Sequence, residues 1–249
     1  MAIIIKSAAE VAVMRIASRI VAEVLKEVAI GVKPSVTTKE LDVIAEAAVK
    51  KFGARPSFKG YMGYPASLCV SVNEEIVHGI PGPKKLREGD IVSIDFGAVC
   101  DGFHGDAAIT VAVGDVSPEA AGLIEATRGA LEAGIAQARH GNRLGDISAA
   151  VQGYAESRGY AVVREYTGHG IGREMHEEPQ VLNYGRPGTG VVLKKGMTFC
   201  IEPMLNLGGW ETRRGDDGWT VSTADSKLSA HYEHSIAITD GDAEVLTEL

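Results

Sequence analysis

A strand that ends in a single carboxylate occurs twice in this chain, and the two copies read as one repeat. Leu86–Asp95 (L-R-E-G-D-I-V-S-I-D) recurs 107 residues later as Leu193–Glu202 (L-K-K-G-M-T-F-C-I-E). Asp106–Asp115 (D-A-A-I-T-V-A-V-G-D) recurs after 127 residues as Glu233–Asp242 (E-H-S-I-A-I-T-D-G-D). Such a duplication predicts two related halves packed about a pseudo-two-fold axis. Each half then supplies two acids on strands. Four carboxylates drawn together out of water require a cation to compensate them.

The order of elements repeats as well. Ser7-Ala8-Ala9-Glu10 is a capping box, and Val11, Met14, Val21, Leu25 and Val28 follow at helical spacing until Gly31 and Pro34. A second helix starts near Thr37 or Thr38 and ends at Gly53, and strands are expected at Leu68–Val72, Ile91–Phe96 and Ala107–Val113. Ser117-Pro118-Glu119 opens the next helix, and another runs from about Leu144 to Gly159. No Pro/Ser-rich linker separates the halves. The expected fold class is therefore α+β, one domain over 1–249 with halves of about 7–115 and 117–249, its helices covering one face of a mainly antiparallel sheet. Two independent domains are the competing organisation.

Composition limits the function classes. Among 249 residues 45% are hydrophobic and 23% charged, enough apolar material for a sizeable core, and the net charge of −8 argues against a nucleic-acid-binding face. Cys69, Cys100 and Cys200 are odd in number and lack CxxC spacing, which points to reduced thiols and a cytoplasmic setting. The start of the chain does not read as a signal peptide, and no apolar run approaches the length of a membrane span.

Asp101-Gly102 is a strong hairpin signal close to the midpoint between Asp95 and Asp106. A hairpin folded there sets the two acids nearly opposite each other on one face, with Cβ atoms about 5 Å apart. Flanking Ile94, Phe96, Ala107 and Ile109 suggest burial. A solvated hairpin edge is the plainer account of one such pair; its recurrence at Glu202 and Glu233 favours a metal site. Those two acids stand 31 residues apart, so the insert Leu207–Leu228 is expected to loop out over the site, with Asp216 and Asp217 as solvated turn residues.

Seven histidines are present, and His78-Gly79-Ile80 and His169-Gly170-Ile171 share one motif. His176, in M-H-E-E-P, lies seven residues beyond His169 and can line the same cleft from a returning segment. His104, His140, His231 and His234 have no comparable context and are read as ordinary surface or core residues. Four carboxylates with one imidazole suit a pair of Mn²⁺, Fe²⁺, Co²⁺ or Zn²⁺ ions, which lower the pKa of a shared water. That chemistry is hydrolysis, of either a carbonyl or a phosphoryl compound.

Asp95, Asp106, His169, Glu202 and Glu233, taken in order, resemble the five metal ligands of the methionine aminopeptidases. So do the segments Ser71–Pro81 (S-V-N-E-E-I-V-H-G-I-P), Thr167–Gly172 (T-G-H-G-I-G), His176–Pro179 (H-E-E-P), Ile201–Met204 (I-E-P-M) and Tyr232–His234 (Y-E-H). The likeness runs from about residue 7 to the end and is to the short, type I form. It implies the pita-bread fold and removal of an N-terminal methionine from nascent polypeptides when the second residue is small. The chain's own start, Met1-Ala2, has that substrate form.

The resemblance also implies roles. Asp95 chelates one metal, Asp106 and Glu233 bridge, and His169 and Glu202 complete the other shell, with Glu202 also the general base. His78 and His176 bind substrate and stabilise the tetrahedral intermediate. Phe58, Tyr61, Tyr64, Cys69, Met175 and Trp219 form the methionine pocket. Met62 replaces an expected histidine, and Met175 stands where an aromatic is frequent. Asn73 and Ser229 match a peripheral monovalent-cation site. The implied protein acts as a monomer, with transient ribosome association, no specific nucleic acid and no membrane. An Xaa-Pro aminopeptidase or prolidase shares the five ligands, a non-catalytic binding module on the same fold would lack them, and an unrelated dinuclear phosphoesterase would show H-x-D or D-x-H clusters.

Overall fold

Capping boxes start both helices of the first half. Ser7 Oγ accepts from Glu10 N at 3.3 Å while Ser7 N donates to the Glu10 carboxylate at 3.0 Å. Thr37 and Glu40 exchange the same bonds at 3.2 and 2.7 Å. In this computed structural model residues 2–248 are described. Met1 and Leu249 lie outside them, so the reading of Met1-Ala2 as substrate-like falls partly beyond the described chain. Helices α1 (Ala8–Gly31) and α2 (Thr38–Lys51) precede β1 (Arg55–Pro56), β2 (Cys69–Val72), β3 (Glu75–Val77), β4 (Ile91–Cys100) and β5 (Phe103–Ala112). The second half repeats that plan with α3 (Pro118–Ile135), α4 (Leu144–Glu156), β6 (Ala161–Val162), β7 (Gly168–Gly170), β8 (Glu177–Val181), β9 (Thr198–Ile201) and β10 (Met204–Asn206). It continues through β11 (Thr212–Arg214), β12 (Val221–Thr223), β13 (Ser229–His231), β14 (Glu233–Ala237) and β15 (Glu244–Val245).

The main sheet runs β1-β4-β5-β14-β9-β7-β8, with β2 also on β4 and β15 on β14. Its pairings are antiparallel. The order is symmetric at its centre, so the pseudo-two-fold axis passes between β5 and β14. Two small sheets, β13-β10-β6 and β11-β12-β3, stand beside it. The insert Leu207–Leu228 is therefore partly a hairpin attached to β3. Gly89 and Gly196, equivalent in the repeat, have φ of 90° and 86°.

Strand periodicity explains how the repeat serves both core and site. Val92 and Ile94 pack in the core formed with α1 and α2. Their equivalents Phe199 and Ile201 pack in the core formed with α3 and α4. Each acid that follows, Asp95 or Glu202, must then point to the opposite side of the sheet. Helices thus cover one face and carboxylates converge on the other. Among the described residues no helix is long and apolar enough to cross a membrane.

Candidate metal centre

The β4–β5 hairpin closes one residue later than the midpoint of its two acids. Cys100 pairs with Phe103, and Asp101 and Gly102 occupy the turn with φ of 49° and 76°. These left-handed positions define a type I′ hairpin turn and fix its centre. Asp95 consequently pairs with Ala108, and Asp106 with Gly97. The acids are diagonal neighbours, which corrects the expectation that they lie opposite each other. Because the offset is two residues, both remain on one face. A Cβ on Gly97 would lie 2.9 Å from Phe58 Cε1 and 3.3 Å from Asp106 Oδ1, so glycine leaves the carboxylate its space.

The second pair arrives differently. The β14–β9 ladder ends at His234↔Ile201. Glu202 and Glu233 stand one step beyond it, and Glu233 itself pairs with Ala108 across the pseudo-dyad. His169 enters from β7 on the other flank of β9. Its Nδ1 donates to Gly170 O at 3.0 Å, which leaves the Nε2 lone pair directed at the acids. Nε2 lies 3.6 Å from Glu202 Oε1 and 3.8 Å from Asp106 Oδ2.

Electrostatics favour a cation here. Burial pushes Asp95 up to about 7. Burial, then the charge of neighbouring acids, raises Asp106, Glu202 and Glu233 well above the carboxylate range. Burial also holds His169 down at about 3, ready to act as a neutral nitrogen donor. Asp95 Oδ1, Asp106 Oδ1 and Glu233 Oε1 are buried without a hydrogen-bond partner among the described residues. Orphaned oxygens of this kind are costly unless something positive binds them. An oxygen-rich set with one imidazole fits divalent metal ions.

Beside the acids opens a cavity of about 390 Å³, lined by all five expected ligands, by His78 and His176, and by the expected pocket residues Phe58, Tyr61, Tyr64, Cys69, Met175 and Trp219. The pocket is tightly braced. Tyr64 donates to Gly79 O at 2.9 Å and meets Trp219 edge-on at 5.1 Å. His176 Nδ1 is 2.8 Å from the Tyr61 hydroxyl, and its ring lies 4.2 Å from that of His169. His78 has φ of 60°, a strained conformation that persists at a site where the surroundings over-determine it.

The sequence profile of metallopeptidase family M24 matches residues 12–240. A methionine aminopeptidase of Clostridium acetobutylicum is 52% identical over 246 residues, which are 98% of each chain. The chain belongs to metallopeptidase family M24, among its methionine aminopeptidases. The crystal structure of a methionine aminopeptidase from Thermotoga maritima, 47% identical, superposes with a TM-score of 0.98 over 100% of both chains. A prolidase from Pyrococcus furiosus, 22% identical, shares the fold at a TM-score of 0.80, covering 99% of this chain and 66% of the prolidase.

This M24 chain also shows what sequence reasoning missed. His231, set aside as an ordinary residue, is 2% exposed and lines the cavity. Its Nε2 is 3.9 Å from Glu202 Oε2 and 4.0 Å from Glu233 Oε2, without a hydrogen-bond partner among the described residues. Strand alternation was the available signal, since residues two apart share a face. Cys200 lies with Asp106, His169 and Glu233 in one cluster whose potential ligand atoms are all within 4.8 Å of one another. Tyr166 and Arg214 also line the cavity. The shared His-Gly-Ile motif is not a structural equivalence: His169 sits in the main sheet, whereas His78 follows β3 of a small sheet. Met62 is 82% exposed at the mouth, while Met175 is buried in the pocket. Asp217 is the turn residue expected, accepting from Trp219 N and Thr220 N.

Proposed function

We propose that this metallo-aminopeptidase releases the N-terminal methionine of nascent polypeptides whose second residue is small. The observation that carries the reading is the meeting of the acid cluster and a buried apolar cluster around Phe58, Tyr64, Cys69 and Met175 in one cavity. Asp95, Asp106, His169, Glu202 and Glu233 would hold two divalent cations, which supply Lewis acidity and a water of lowered pKa.

The protein's own groups do the rest. Phe58, Tyr64, Cys69, Met175 and Trp219 enclose the substrate thioether, a polarizable group that packs well on aromatic rings and sulfur. Tyr61 orients His176: with its hydroxyl donating to Nδ1, Nε2 carries the proton and donates to the developing oxyanion. His78, held at about 4 by burial, is neutral at pH 7 and donates through its N–H. Glu202 takes the proton of the attacking water and passes it to the departing amine.

Purified protein should release methionine from Met-Ala-Ser and hardly from Met-Lys peptides, read by free-methionine assay. Release of the first residue from Xaa-Pro peptides with none from Met-Ala-Ser would assign it instead to proline-specific chemistry. His176→Ala should lower kcat by about 10²–10³-fold, as for loss of one oxyanion donor, with KM moving far less. Mn²⁺, Fe²⁺, Co²⁺ and Zn²⁺ all suit the donor set, and metal analysis of anaerobically purified protein identifies the physiological ion. Ser229 N donates to Asn73 O at 2.9 Å, and this adjacency supports a peripheral monovalent-cation site there. The reading extends to a cytoplasmic monomer with transient ribosome association, tested by sedimentation with and without ribosomes.

A further inference from the structure

The two halves of the main sheet are joined by a very short seam. Strands β5 and β14 pair only at Glu233↔Ala108 and His234↔Ala107. At each end of this seam the strands part, and at each end one hydroxyl replaces the missing ladder. Ser235 Oγ accepts from Asp106 N at 3.0 Å and donates to Asp106 O at 2.7 Å. Thr110 Oγ1 accepts from His231 N at 2.9 Å and donates to His231 O at 2.9 Å.

The reason lies in where the backbone groups of these two residues go. Ser235 O already accepts from Leu246 N at 2.9 Å, because β15 has entered beside β14. Thr110 O already accepts from the Tyr232 hydroxyl at 3.0 Å. Each carbonyl is directed to another donor, and the side-chain hydroxyl bonds the cross-strand partner instead. Ser235 is 0% exposed and Thr110 4% exposed. No water can take over these bonds, and both backbone groups of Asp106 depend on one hydroxyl.

We propose that Ser235 and Thr110 are positioning residues that hold the seam open by the width of a hydroxyl, Ser235 setting the Asp106 carboxylate for metal binding and Thr110 setting His231. The proposal rests on the assignment of Asp106 as a metal ligand. With the hydroxyl at 235 removed, the Asp106 backbone must move to find partners, carrying its carboxylate away from Glu233.

Mn²⁺ binding by isothermal titration separates the alternatives in wild type, Ser235→Thr, Ser235→Val and Thr110→Val. Ser235→Val, the near-isostere of Ser235→Thr without a hydroxyl, should bind Mn²⁺ about 10–100-fold more weakly, the scale of lost outer-shell support. Ser235→Thr should stay within about threefold of wild type on the same scale. Thr110→Val should keep Mn²⁺ affinity and shift kcat for Met-Ala-Ser. Equal Mn²⁺ affinity in Ser235→Val and wild type overturns the proposal. So does a Ser235→Thr variant that fails to fold or loses as much affinity as Ser235→Val, since volume would then be decisive. Wild type that binds no divalent metal refutes the ligand assignment itself, an outcome distinct from either.

Discussion

Glu202→Gln should leave a folded protein with turnover on Met-Ala-Ser reduced by about 10²–10⁴-fold, the scale of a lost general acid–base group. The substitution keeps volume and removes the carboxylate proposed to accept the proton. Glu202 is suited to this role by its place. It stands directly after β9, with its Oε1 3.6 Å from His169 and its Oε2 3.9 Å from His231. Circular dichroism and thermal melting would establish that the fold persists, and single-turnover kinetics would separate chemistry from product release. Wild-type turnover in this variant would remove Glu202 from the mechanism. Loss of stability alongside loss of turnover would indicate a chiefly structural carboxylate.

Metal removal should abolish activity and make stability decline toward neutral pH, relative to the metal-loaded protein. Burial holds Asp95 at about 7 in the folded protein, far above its ordinary value near 3.8, and raises Asp106, Glu202 and Glu233 well above theirs. Above the ordinary carboxylate range the folded state therefore holds protons that the unfolded chain has released. Stability from Asp95 is complete below about 3.8, falls progressively as pH rises, and is fully lost by about 7. His169 and His231, held near 3, and His78, near 4, act in the opposite sense. Their contribution is complete above about 6.5 and is lost as pH falls, so below 6.5 it runs against the loss from the acids. Chelated protein should thus lose about 1.4 kcal/mol per pH unit for each acid forced to ionise. Thermal melts should show that decline between about pH 5 and pH 7, referred to Mn²⁺-loaded protein, in which the histidine contribution is common. Added Mn²⁺ or Co²⁺ should restore activity and flatten that decline, stabilising by about 4 kcal/mol at a thousand times Kd. A chelated protein that follows the Mn²⁺-loaded protein in parallel from about pH 5 to pH 7 would mean that the acids hold no extra protons when the metal is absent.

The seam explains why such a cluster is tolerated. Between the halves, β5 and β14 share two residue pairs, and the hydroxyls of Ser235 and Thr110 complete what the backbone leaves open. A fully zipped sheet would satisfy the same backbone groups without a cleft. The site therefore depends on strands that part, and on side chains able to satisfy both a donor and an acceptor.

Much of this was legible without coordinates. The strand-to-acid repeat, the capping box at Ser7, the helix start near Thr37 or Thr38 and the start of α3 at Ser117-Pro118 report local chemistry, and each is realised where the residues indicate. Apolar alternation at Val92, Ile94, Phe199 and Ile201 already implies that the neighbouring acids face away from the helices. Three features were misread from the sequence, one through the exact centre of a local turn and two through partners distant in sequence. The diagonal register of Asp95 and Asp106 follows from the left-handed turn at Asp101-Gly102, which moves the hairpin centre by one residue. His231 joined the site because β13 delivers it beside Glu202, although its spacing from Glu233 was a readable hint. The two His-Gly-Ile motifs look alike as strings and occupy unlike places. By itself the sequence determined that two homologous halves would bring four carboxylates to one side of a sheet, because alternation and duplication are properties of the chain. Only the tertiary structure decided how far apart those acids stand, because that distance is set by where strands from the two halves stop pairing.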